Sequence, residues 1–282
     1  MRADGTYSPK SIAHMSEHAR IVKRYIGDAS LYEFTAEDVR RIALDMANDG
    51  LAVSTQKSYI FALKALLKHI NNPAYNTRIL YQADTRPRVD WLTPDQARQV
   101  LNSDLLRPID RLAVVLALCM GLRRVEIVRL KVSDINLERE YITVTGKGRA
   151  GGKLRLVPFH ERFKPALDGY LKDRALIVRS ARNTAPDNLL IWMGTDRIVH
   201  EYNAVKASGI DGLIRHASKL IGVKFSAHTL RRTFGRILWL SGVPVVTIAR
   251  ILGHSSTEQT LTYIGANLDD MAQAMHQIGG IL

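Results

Sequence analysis

The chain has 282 residues, 46% of them hydrophobic and 24% charged, which suits one large or two modest globular domains and argues against a disordered chain. Forty Lys and Arg outnumber 27 Asp and Glu for a formal net charge of +13, with a pI near 10.0, a balance that favours a polyanionic partner. A single cysteine excludes disulfides and Cys-based zinc sites. No apolar run approaches the ~20 residues of a membrane span, and Met1-Arg2-Ala3-Asp4-Gly5 leads into nothing like a secretory signal, so the expectation is a cytoplasmic protein with no membrane partner.

Ser8-Pro9 predicts a helix start, and Ile12, Met15, Ala19, Val22 and Ile26 recur at helical spacing until Gly27. Thr35 is placed to cap a second helix carrying Val39, Ile42 and Met46. Ser54 is placed to cap a third carrying Ile60, Leu63, Leu67 and Ile70, which Asn71-Asn72-Pro73 ends. Residues 75–90 show no period and contain Arg86-Pro87-Arg88, a charged connector that divides the chain into a helical domain, residues 1–86, and a second domain, residues 87–282. Thr93-Pro94-Asp95-Gln96 then joins an N-cap, a proline at the first helical position and a glutamine at the capping-box position. Residues 111–130 read as a heavily apolar helical stretch through the core of the second domain, with Cys119 as packing. Tyr141-Ile142-Thr143-Val144-Thr145 alternates and is rich in β-branched residues, and residues 154–159 supply a second strand across a Gly-rich turn. Residues 180–188 read as an irregular surface loop. The expected fold class is mainly α with a small β-sheet (α+β).

Breaking a nucleic-acid backbone without a metal needs a nucleophile, cations around the phosphate oxygens, an acid for the departing oxygen and a base. Arg123, in Gly121-Leu122-Arg123-Arg124-Val125-Glu126, has a forked guanidinium that can grip two phosphate oxygens, and Glu126 three residues on can face it and hold it. Lys147 sits in the glycine-rich tip Thr145-Gly146-Lys147-Gly148-Arg149-Ala150-Gly151-Gly152-Lys153, where a mobile ammonium suits a proton donor; a plain hairpin turn reads equally from these residues. The tip lacks the Ser or Thr and the glycine spacing of a nucleotide-binding P-loop. Ser226 can cap a helix that places His228 and Arg231 on one face, in the first turn or so, where free N–H groups favour a phosphate. Pro244 opens a further helix that Gly253 ends, so that His254 emerges directly after the stop. Ser255 and Glu258 then form a capping box for a helix carrying Tyr263. Taken alone, each residue reads first as a salt-bridged Arg, a solvated Lys, a capping or surface His, or a packing Tyr.

Together, their order and spacing resemble the catalytic domain of the tyrosine recombinase and phage-type integrase family, in particular its short Xer-like members. Gly121-Leu122-Arg123 with Glu126 looks like the first arginine box, and Gly146-Lys147-Gly148 leading to Arg155-Leu156-Val157-Pro158 like the lysine hairpin. His228-Thr229-Leu230-Arg231, Leu252-Gly253-His254 and Thr260-Leu261-Thr262-Tyr263 look like the remaining boxes. The resemblance covers residues 93–263. It implies catalytic roles for Arg123, Lys147, His228, Arg231, His254 and Tyr263. The loop before Arg155 is longer than in Xer-like members, so Lys153 competes with Lys147 for the acid role, and Arg232 stands where many relatives carry a second His. The first domain resembles the family's helical core-binding domain, with Thr55, Lys57 and Lys64 expected against DNA, joined by Arg149 and Lys153 from the hairpin.

The resemblance further implies a 3′-phosphotyrosyl intermediate formed by Tyr263, with Arg123 and Arg231 on the non-bridging oxygens, Lys147 as acid, His228 as base and His254 donating a hydrogen bond. No cofactor and no metal are expected. The partner is double-stranded DNA, bound by a homotetramer on two sites, and the protein is nucleoid-associated when so bound. A C-terminal helix near Asn267, Asp269 and Asp270 would dock on a neighbouring subunit or on its own. Two alternatives remain open: relaxation of supercoils by a type IB topoisomerase, and a DNA-binding regulator without catalysis.

Overall fold

Thr35 opens the second helix with a full reciprocal cap: its hydroxyl accepts from the Asp38 N–H while the Asp38 carboxylate accepts from the Thr35 N–H. The Thr35 hydroxyl, then its N–H, holds the Asp38 carboxyl below the usual carboxylate range. The computed structural model describes residues 9–81, 90–146, 154–179, 187–193 and 202–265. Lys147, Arg149, Lys153, the connector around Arg86-Pro87-Arg88 and the segment from Asn267 onward lie outside them. The chain divides into two compact units, Met1–Pro87 and Arg88–Leu282.

In the first unit, helices α1 (Pro9–Ile26), α2 (Ala36–Asn48) and α3 (Val53–His69) enclose Val22, Phe34, Val39, Ile42, Met46, Ile60, Leu63 and Leu67. Phe34 comes from the segment before α2; the others are residues whose spacing puts them on one face of each helix. Ser54 does not cap α3. The helix begins at Val53, with Ala52 rather than Ser54 at the N-cap and no side-chain cap. The Thr55 and Gln56 N–H groups donate to the Ala52 carbonyl, and the Gln56 amide reaches back to the Leu51 carbonyl at 2.6 Å. Buried Asn72 ends α3 by donating to the carbonyls of Leu31 and Phe34, both at 2.9 Å.

The second unit is built around α5 (Pro108–Leu118), preceded by α4 (Pro94–Asn102). Every residue of 112–120 is buried, and α5 packs against α7 (Phe163–Arg179), α8 (Ala207–Ile221) and α9 (Ala227–Leu240). Cys119 lies in this core, and burial pushes its thiol up to about 12, far from a thiolate nucleophile. The stretch 111–130 is two helices rather than one. Gly121 takes a positive φ of 62°, the Leu122 N–H closes back on the Leu116 carbonyl, and α6 (Arg124–Arg129) starts in a new direction. A Cβ at Gly121 would collide with the Phe234 ring, so both backbone and space demand glycine there. After α6, β1 (Ile135–Asn136), β2 (Tyr141–Thr145) and β3 (Leu154–Pro158) form an antiparallel sheet in that order, with Thr145 opposite Leu154 across the hairpin.

A second small sheet, β4 (Ile191–Met193) against β5 (Tyr202–Ala204), carries no alternation long enough to read in sequence. Of the expected loop 180–188, residues 180–186 lie outside the described residues. Asn188 bridges to Lys131 and donates to the Val128 carbonyl. Helices α10 (Val245–Leu252) and α11 (Thr257–Ile264) close the described chain against α9. Among the described residues no helix is long and apolar enough to cross a membrane.

Candidate active site

Arg123 is the N-cap of α6, and Glu126 reaches back to its backbone N–H at 2.7 Å while accepting from its guanidinium at 2.9 Å. Local spacing makes that pair; tertiary packing adds two more cations to the same carboxylate. Arg155 on β3 meets it as a fork, Nη1 to Oε1 and Nη2 to Oε2 both at 2.9 Å, and Arg231 on α9 brings Nη1 to 3.5 Å. Burial pushes the Glu126 carboxyl up, but Arg155, the Arg123 N–H and Arg231 together outweigh it and hold the group at about 2. Three guanidiniums around one carboxylate leave a surplus of positive charge, the electrostatic requirement for an anion.

The arginines are aimed by backbone carbonyls. Arg231, buried like Glu126, donates Nη1 to Gly121 and Nη2 to Leu252. Arg123 donates Nη2 to Gly253 at 3.0 Å, and Arg155 donates Nε to Ile251 at 2.8 Å. These acceptors lie at two helix ends, after α5 and at the end of α10, where carbonyls lack helical partners. Gly253 ends α10 with φ at 63°, and the His254 N–H closes on the Ala249 carbonyl at 2.9 Å. That closure sets the His254 ring beside Arg231, with Nε2 and Nη2 3.3 Å apart.

The helix cap before Tyr263 falls one residue later than the sequence suggests: Ser256, not Ser255, accepts from the Gln259 N–H, and Gln259 rather than Glu258 reaches back towards Ser255. Two adjacent serines compete for this role, and the extended backbone of Ser256, φ −142° and ψ 159°, decides it. About two turns on, Tyr263 inserts between two imidazoles. The His228 centroid lies 5.2 Å and the His254 centroid 5.0 Å from the phenol ring, both edge-on. The guanidinium carbons of Arg231 and Arg232 lie 5.8 and 5.5 Å from the same ring centre. The Tyr263 hydroxyl is buried without a hydrogen bond of regular geometry among the described residues. Burial raises the phenol above 10.0, while Arg231, Arg232 and Arg123 pull it back. Desolvation in the cleft, then Arg232, Arg231 and Arg123, push His228 below 6.5; the same desolvation with Arg231, Arg123 and Arg155 takes His254 to about 4, against a small opposing pull from Glu126. Both rings are therefore neutral at neutral pH.

The structure thus brings Arg123, His228, Arg231, His254 and Tyr263 to one place. A sequence model described as the phage integrase family matches residues 90–269, more than half of the chain. The chain belongs to the phage integrase family. It is a tyrosine site-specific recombinase, as its family relatives attest. It is 28% identical over 258 residues to the tyrosine recombinase XerA of Pyrococcus furiosus, across 87% of this chain and 82% of that one. It is 27% identical over 293 residues to the tyrosine recombinase XerC of Pelobacter propionicus, across 97% and 90%. In fold it resembles the Tn1549 transposon integrase solved with circular intermediate DNA, with a TM-score of 0.73, 20% identity and coverage of 98% and 95%. It also resembles a lambda integrase dimer bound to a core site, with a TM-score of 0.63, 18% identity and coverage of 93% and 73%.

Sequence reasoning missed the part Arg155 plays in this recombinase. Its box was visible, but an Arg on a short strand gives no hint that its fork will close on a carboxylate 29 residues earlier. In the first unit, Lys64 donates to the Thr77 carbonyl, Lys57 lies 5.2 Å from the Tyr81 ring centre, and Thr55 is partly buried at the start of α3. The first two ammonium groups thus hold the segment after α3 as well as offering charge.

Proposed function

We propose that this recombinase cleaves and rejoins DNA through a 3′-phosphotyrosyl intermediate. The observation that carries the reading is the Tyr263 phenol set between two neutral imidazoles beside the Arg231 and Arg232 guanidiniums. In the forward step the Tyr263 oxygen bonds to phosphorus and its proton passes to His228, which is neutral and so able to accept it. The bond from phosphorus to the 5′ oxygen breaks, and that oxygen takes a proton from Lys147. Arg123 and Arg231, held in place by Glu126 and by carbonyls, carry the charge on the non-bridging oxygens. One phosphoester replaces another, so the reverse step needs no external energy.

Residues 1–86 act in this reading as the helical core-binding domain and residues 87–282 as the catalytic domain. Thr55, Lys57, Lys64, Arg149 and Lys153 touch DNA. Exchange between two duplexes requires four subunits on two sites, and the dimeric lambda integrase on its core site supports assembly by pairs. The test uses a duplex selected from random sequence by binding to the protein and nicked near the cleavage point, so that the cut fragment diffuses away. The wild-type protein is expected to trap covalently attached DNA and Tyr263→Phe to trap none. Absence of an adduct with the wild type overturns the reading, and joining of two sites, as opposed to loss of supercoils alone, separates recombination from topoisomerase action.

A further inference from the structure

Thr260 is fully buried, one turn before Tyr263, and its hydroxyl lies 2.9 Å from His254 Nδ1 and 3.2 Å from the Ser256 carbonyl. On the far side of the same imidazole, Nε2 faces Arg231 Nη2 at 3.3 Å. A guanidinium has only donors, so Nε2 accepts here. A neutral imidazole then carries its proton on Nδ1, which donates to the Thr260 oxygen, and the Thr260 proton goes to the Ser256 carbonyl. In this resting arrangement His254 has no N–H left for a phosphate.

A hydroxyl can donate or accept at the same position, and a carbonyl acceptor cannot. We propose that Thr260 is a positioning residue that lets His254 exchange tautomers as the phosphate arrives. The phosphate draws the Arg231 donors away from Nε2. His254 gives up its Nδ1 proton to water and takes one from water at Nε2, with no net change. Thr260 rotates its hydroxyl from Ser256 to donate to Nδ1, and Nε2–H then points at the phosphate. The proposal rests on the catalytic reading above, which places a phosphate beside Arg231.

Two variants and one spectroscopic measurement test it. Thr260→Val keeps the shape and removes the hydroxyl; Thr260→Ser keeps the hydroxyl and removes a methyl. With the nicked duplex described above, Thr260→Val is expected to slow single-turnover cleavage about tenfold to a hundredfold, by analogy with the loss of a hydrogen-bonding partner behind a metal-ligating histidine, with DNA affinity retained. Thr260→Ser is expected to recover most of the rate. A packing role gives the opposite order, Val above Ser, and that order overturns the proposal. In 15N-histidine-labelled wild-type protein, with His254 assigned by comparison with His254→Gln, the protonated ring nitrogen should be Nδ1 without DNA and Nε2 with the duplex bound to Tyr263→Phe. The same tautomer in both states overturns the proposal even if a variant fails to fold. Failure of wild-type protein to form any adduct counts instead against the catalytic reading.

Discussion

Two buried carboxylates in this chain start from the same local grammar and end differently. Arg107 caps α5 and Asp110 follows three residues later; Arg123 caps α6 and Glu126 follows three residues later. In both cases the arginine bonds the acid, Arg107 Nε to Asp110 at 2.7 Å and Arg123 Nη1 to Glu126 at 2.9 Å. To Asp110 the fold adds, among the described residues, the half-exposed His216 at 3.1 Å. The Arg107 side chain is itself 57% exposed, so the charge is balanced one for one beside water. To Glu126 the fold adds Arg155 and Arg231, with side chains 12% and 2% exposed. One acid fastens a helix start, and the other organises a buried excess of positive charge that faces the tyrosine.

Removing Glu126 should break this contrast most severely. Glu126→Ala leaves buried guanidiniums without their counter-charge, and urea unfolding should show a loss of about 3–5 kcal/mol together with loss of DNA cleavage. Acid should come next. The His254 pKa is depressed to about 4, so the unfolded chain protonates first as pH falls through 6.5, and stability drains away between 6.5 and about 4. Glu126, depressed to about 2 from 4.5, stabilises the fold above 4.5, and that contribution is lost as pH falls from 4.5 towards 2. Urea midpoints measured against pH should therefore fall across both windows, and His254→Gln should make the upper one shallower, with His228, also depressed, supplying the remainder. Arg155→Lys keeps the charge but loses the fork, and should cost about 1.5–3 kcal/mol with slower cleavage at unchanged DNA affinity. Asp110→Asn should cost about 1 kcal/mol, because its arginine can turn to water, and should leave the cleavage rate of folded protein unchanged. His216→Ala should shift the urea midpoint least, within about 0.5 kcal/mol. A cleavage defect in Asp110→Asn as large as in Arg155→Lys would erase the distinction between the two acids.

Much of the fold was legible because short-range geometry dictates it. Thr35, Thr93 and Ser226 cap their helices as their spacing suggests, and the β2–β3 hairpin follows from alternation and a glycine-rich tip. Three local readings went astray where near-equal options compete. Ser54 lies inside α3, Ser256 displaces Ser255 as cap, and the apolar run 111–130 is broken by Gly121. Apolar periodicity alone does not register the left-handed glycine that separates the buried α5 from the more exposed α6.

The sequence by itself determined the family boxes, the helical faces and the Arg123–Glu126 pair, because these depend on residues close together in the chain. Tertiary structure alone decided that Arg155 from β3 and Arg231 from α9 share Glu126, and that Gly121, Leu252 and Gly253 lend their carbonyls to the arginines. It also decided that His228 and His254 flank one phenol. Those contacts join residues from 9 to 130 positions apart in the chain. The closure of each depends on how whole helices and strands pack, and no local pattern encodes that.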